Sequence, residues 1–208
     1  PSTFDTGSGD GIGTDTGAGD GFVTPGDSES GDFVRCSFND DDGLELEVVN
    51  TSSETSNYFI TIVFRDADGT RLADELQTVN HLRPGERTIE QTFSFDRVGT
   101  SCEAGDVDRF SSQSAADELD DANGCEVTGR DSFDDLAAAT SVTNNSSETS
   151  DYFVTVAFVN NDGVRVGTGT ASVSAVAPGD TAPSDVFTFV EAEAGICDVV
   201  AVQRFATN

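Results

Sequence analysis

The residues of this chain with chemistry to cross-link, hold a metal ion or carry a modification form a few small groups. Four cysteines fall as Cys36 with Cys102 and Cys125 with Cys197, separated by 66 and 72 residues. The matched spacing predicts two disulfides and hence an oxidising compartment. Closing loops of that length contributes about 4 kcal/mol each in the chain-entropy account. The competing chemistry, one metal ion held by all four thiolates, has no C-x-x-C pair to support it. Acidic runs at 39–43, 66–69 and 117–121 place hard oxygen ligands near turns. Asp117, Asp120 and Asp121 are the candidate calcium ligands, because an ion there would stiffen a hinge. Otherwise no cofactor is expected, and the plain alternative is that Asp and Gly simply make turns. Three sequons begin at Asn50, Asn144 and Asn145, so these asparagines are candidate glycan carriers. The single histidine, His81, sits beside Leu82-Arg83-Pro84 as an ordinary loop residue. With the thiols paired, no nucleophile, base and orienting group can be assembled, so an enzyme is not expected.

These groups occur on a duplicated framework. Residues 50–69, NTSSETSNYFITIVFRDADG, return as 144–163, NNSSETSDYFVTVAFVNNDG, offset by 94. Pro84-Gly85 then matches Pro178-Gly179, and after a one-residue slip Cys102 and Arg109-Phe110 match Cys197 and Arg204-Phe205. A repeat of this size means two supersecondary units in series. The expected boundaries are an N-terminal extension at 1–32, module one at 33–112, a hinge at 113–124 and module two at 125–208. In module one, strands are expected at 33–38, 44–50, 58–65, 71–79, 87–96 and 106–110. In module two they are expected at 125–129, 136–143, 152–159, 164–176, 182–190 and 196–205. Tyr58, Ile60, Ile62 and Phe64 alternate toward one core, while Phe59, Thr61 and Val63, repeated as Phe153, Thr155 and Ala157, point the other way. Short strands at regular spacing predict an all-β chain of two tandem antiparallel β-sandwiches.

Net charge is −29, and all 10 basic residues are arginine. So acidic a surface repels nucleic acid and anionic membranes. In molar salt the Debye length falls to roughly 3 Å and the self-repulsion is screened, which points to a high-salt environment. No apolar run approaches a membrane span, and the chain starts at Pro1 in polar sequence, as a processed product would. The extension is patterned: from 7 to 21 every odd position except Asp15 is Gly, and 6–22 has no Gly at an even position. As a strand it would carry Phe4, Ile12 and Phe22 on one face and bare glycine on the other.

The run from Tyr58 to Gly69, followed by Pro84-Gly85, resembles the FxLYD-type immunoglobulin-like domains. Phe64, Asp66, Asp68, Gly69, Pro84 and Gly85 fit the first copy, and Phe158, Asp162, Gly163, Pro178 and Gly179 the second. The Leu-Tyr-Asp triplet itself is replaced by residues including Arg65-Asp66 and Val159-Asn160. The resemblance implies tandem immunoglobulin-like sandwiches on a cell-surface protein, of a halophilic archaeon given the charge, and carries over no catalytic residue. The expectation is an extracellular or cell-surface structural subunit that polymerises with itself. In it, the extension is donated as a strand to a neighbour, with Phe4, Ile12 and Phe22 at the subunit interface and glycans as further partners. The alternative is a monomeric, tethered surface lipoprotein acting as a binding module.

Overall fold

The computed structural model describes residues 31–39, 43–92, 99–112, 116–131, 135–189 and 193–207. Phe4, Ile12 and Phe22 lie outside these residues. The described chain is all-β apart from one short helical segment. Module one holds β1 (Phe33–Phe38), β2 (Leu44–Val49), β3 (Ser56–Arg65), β4 (Arg71–Leu82), β5 (Arg87–Thr92) and β6 (Ser101–Ser111). After α1 (Ala116–Leu119), module two holds β7 (Ala122–Arg130), β8 (Leu136–Thr143), β9 (Ser150–Val159), β10 (Arg165–Val176), β11 (Thr181–Thr188) and β12 (Ile196–Ala206).

Each module builds two layers of the same order, β1-β2-β5 with β4-β3-β6 in the first and β7-β8-β11 with β10-β9-β12 in the second. The alternation explains the packing: Tyr58, Ile60, Ile62 and Phe64, and likewise Tyr152, Val154, Val156 and Phe158, are buried at the centre of two separate cores. Cys36 of β1 is bonded to Cys102 of β6, and Cys125 of β7 to Cys197 of β12, so a disulfide ties one layer to the other in each module.

Three features depart from the sequence expectation. First, β6 starts at Ser101, five residues earlier than its apolar pattern suggests. Cys-Glu-Ala-Gly-Asp has little strand character, but β3 supplies a partner from Arg65 onward and the ladder crosses a bulge near Ile60–Ile62. Second, the expected hinge is not free, because the buried Asp121 and the packed Leu119 attach it to module two. Third, the largest sheet does not stop at the module boundary. It runs β1-β2-β5-β10-β9-β12, with β5 and β10 joined in parallel at Thr88 and Arg165.

Candidate functional site

The parallel joint is where the two modules are positioned, and its chemistry begins with a backbone irregularity. In β4 the register slips just before Leu82, and His81 takes a left-handed φ of 55°. Its amide donates to Asn57 Oδ1 at 2.7 Å. Module two repeats the device at Ala175, with φ 57° and a 2.7 Å bond to Asp151 Oδ1. A left-handed non-glycine residue is held only where the surroundings compel it. In module one the His81 carbonyl accepts from Arg165 Nη1 at 3.4 Å.

Arg165 is the centre of the joint. It is 1% exposed, one of the largest fully buried side chains in the protein. Glu90 of β5 lies 3.9 Å from its Nε, the Thr88 hydroxyl donates to its carbonyl at 3.2 Å, and Glu86 adds a second negative field. Burial pushes its pKa down, against the pull of Glu90 and Glu86. Among the described residues its Nε and Nη2 have no hydrogen-bond partner, so position and charge, more than bonding, tie it to module one. Beside it, Arg83 pairs with Asp198 and donates from Nη2 to the Val199 carbonyl at 3.1 Å. A cleft of about 380 Å³ opens next to this clamp, lined by Glu54, Ser112, Leu119 and Val200 among others. His81 Nδ1 and Ser112 Oγ are 2.5 Å apart at its edge. Burial and then the Arg165 charge push the His81 pKa down, which weakens it as a base.

Two further constellations recur at equivalent positions. Four residues before the first cysteine of each module stands a buried aspartate, Asp32 or Asp121. Asp32 accepts from Thr51 N at 2.8 Å and Arg109 Nη1 at 2.9 Å, and lies beside the Tyr58 hydroxyl. Asp121 accepts from the Tyr152 hydroxyl at 3.0 Å and from Asn145 Nδ2 at 2.8 Å, with Arg204 Nη1 at 3.6 Å. Burial first, then the neighbouring carboxylate, raises both phenols, Tyr152 to about 12 and Tyr58 further. The second constellation is Asn50 and Asn144. Asn50 Nδ2 donates to the carbonyls of Glu54 and Leu82, and Oδ1 accepts from the Ser52 amide and hydroxyl. Asn144 makes the same bonds with Glu148, Val176 and Ser146.

These bonds bear on two sequence expectations. Asn50 and Asn144 are wholly buried with both amide protons committed, so in the folded chain their nitrogens are not available to a glycan. Asn145 is exposed. Asp121 is not a free calcium ligand, because its carboxylate is occupied by Tyr152, Asn145 and Arg204. Asp120 is exposed and its carbonyl accepts from Asn145, while the Asp117 side chain lies outside the described residues. Among the described residues no group of three acidic, His or Cys side chains could hold a metal ion. At the acidic turn, Asp66 Oδ1 accepts the Asp68 and Thr70 amides, as Asn160 does for Asp162 and Val164.

The outward-facing row divides. Val63 and Ala157 are buried, while Phe59 and Phe153 stay exposed in edge-to-face pairs with Phe110 and Phe205, ring centres 5.3 and 5.8 Å apart. Sequence reasoning missed Arg165 and Arg83. The available signal was Arg71 and Arg165 at one repeat position, and it does not tell which of them is covered. No protein-family profile matches the chain, and no characterised protein aligns with it significantly.

Proposed function

We propose that the chain is a structural subunit of an extracellular filament or cell-surface assembly, built from two tandem immunoglobulin-like sandwiches of the FxLYD type and made by a halophilic organism. Subunits join when the N-terminal extension of one copy, up to the buried Asp32 that stays in its own module, is donated as a strand to the next, with Phe4, Ile12 and Phe22 as anchors and the glycine face allowing close backbone approach. Extended, that segment reaches roughly 100 Å, enough to lie along a neighbour. The observation that carries the reading is the six-stranded sheet that passes from module one into module two. This chain already joins β modules edge to edge, by contact between unlike edges, and a contact of that kind repeated from copy to copy builds an open fibre when its rotation does not close a ring. The disulfides suit an oxidising extracellular setting.

Sedimentation velocity in molar salt tests the proposal. The full chain should form large species and a chain lacking residues 1–30 should stay monomeric; large species from both would remove the tail as the connector. A second reading, a tethered monomer presenting a binding surface, draws on the exposed Phe59–Phe110 and Phe153–Phe205 pairs. It predicts monomers from both chains.

A further inference from the structure

The joint inside the chain uses one end of each module. Module two contributes the start of β10 and of β12, and module one contributes the β4–β5 turn and the start of β5. The repeat gives module one the same upper surface, and there it is uncovered. Arg71 stands where Arg165 stands, and Leu72 where Val166 stands, which packs on the core of module two. Arg71 has a 57% exposed side chain and Leu72 is 49% exposed. β4 is a terminal strand of its sheet, so this end of the edge has no strand beside it among the described residues. At the other end, module two repeats the lower surface. Pro178 and Gly179 form the turn, the strand start at Thr181 and Ala182 stands where Arg87 and Thr88 meet β10, and Asp180, exposed, stands where Glu86 lies near Arg165 without forming an ion pair with it.

We propose that the start of β4, with Arg71 and Leu72, docks on the turn and strand start around Pro178–Ala182 of a second copy, so that the joint within the chain is repeated between chains. Arg71 then leaves its exposed partner Asp74 and faces Asp180, and Leu72 covers the turn. The contact is weaker than the internal one, because Arg83, which clamps Asp198, is replaced by Ala177, and Glu90 by Ser184. Pro183, in the place of Ile89, also removes one backbone donor from β11. The inference rests on the chain being a self-assembling subunit, and not on the tail being the connector.

A charge swap in the full-length protein tests it, read as the self-association constant at the lowest salt where association is measurable. R71E and D180R should each lower the constant about threefold, the size expected for reversing an attraction that acts through space without a direct ion pair. Together they should restore it. D180R makes the chain less negative, so general repulsion alone would strengthen association, the opposite of the prediction. L72S should weaken association without any change of charge, and melting curves of all variants check that each is folded. Unchanged association in both single variants, or no rescue in the double, overturns the proposal. Sensitivity to R71E but not D180R, with a closed dimer as the product, would mean that β4 pairs with β4 and would also overturn it. If tail deletion abolishes assembly while these variants have no effect, the tail reading survives and this surface does not; a monomer at every salt concentration removes both.

Discussion

Arg71 and Arg165 hold the same position of a duplicated sequence and have opposite surroundings. Arg71 lies on an open edge, bonded through Nε to Asp74 Oδ1 at 2.6 Å, with both side chains in solvent. Arg165 has Thr168 in the place of Asp74, is sealed beneath module one and faces Glu90 and Glu86. The strands that carry them are alike in length and register. The difference comes from what is stacked on each module, so burial here belongs to the joint and not to the repeat. The lower ends differ by composition: His81, Arg83, Thr88 and Glu90 below module one become Ala175, Ala177, Ala182 and Ser184 below module two. One end is a charged, specific seat; its counterpart is small and largely uncharged.

The comparison can be broken at several levels. The largest effect is expected from the disulfides. Replacing Cys36 and Cys102, or Cys125 and Cys197, by serine should each cost about 4 kcal/mol in denaturant unfolding, nearly equal in the two modules because the loops are of similar length. Next comes the buried charge. Glu90→Ala strands Arg165 in the interior and should cost roughly 3 kcal/mol, whereas Arg165→Met, which removes the charge with it, should cost less. Asp74→Ala, which frees Arg71 in solvent, should leave the unfolding midpoint within error. Equal losses for Glu90→Ala and Asp74→Ala would show that Arg165 is not sealed. Asn50→Ala and Asn144→Ala should each cost about 2 kcal/mol, because each removes a buried side-chain donor to a backbone carbonyl 32 residues away.

Smaller effects come with pH. Tyr152 and Tyr58 have folded pKa values above the ordinary 10. Their contribution is complete below pH 10 and is lost as pH rises from there through about 12, where the unfolded chain ionises first. Tyrosinate absorbance should therefore rise with unfolding and not before it. His81 is shifted the other way, so stability should fall as pH drops below about 6.5, where the unfolded histidine takes up a proton that the folded one resists. Replacing His81 by asparagine should remove that acid limb.

How much of this was legible in the sequence follows from which forces are local. The strands and the cysteine pairing could be read because alternation and repeat spacing are carried by each module alone. The early start of β6 could not, since its pairing is supplied by β3. The sequons of Asn50 and Asn144 were visible, but the same short motif also makes a buried corner, and only the carbonyls of Leu82 and Val176, 32 residues away, decide between the two. Asp121 looked like part of an acidic hinge because its partners, Tyr152 and Arg204, come from distant strands. The joint was invisible for the same reason, since neither Thr88 nor Arg165 has a local pattern that names the other.

Electron microscopy of the full chain in molar salt, where the 39 acidic groups are screened, tests the central claim most directly. The account predicts filaments that disperse on dilution into low salt and that do not form from a chain lacking residues 1–30. Discrete particles of two-module size from the full chain, at every salt concentration, would contradict it.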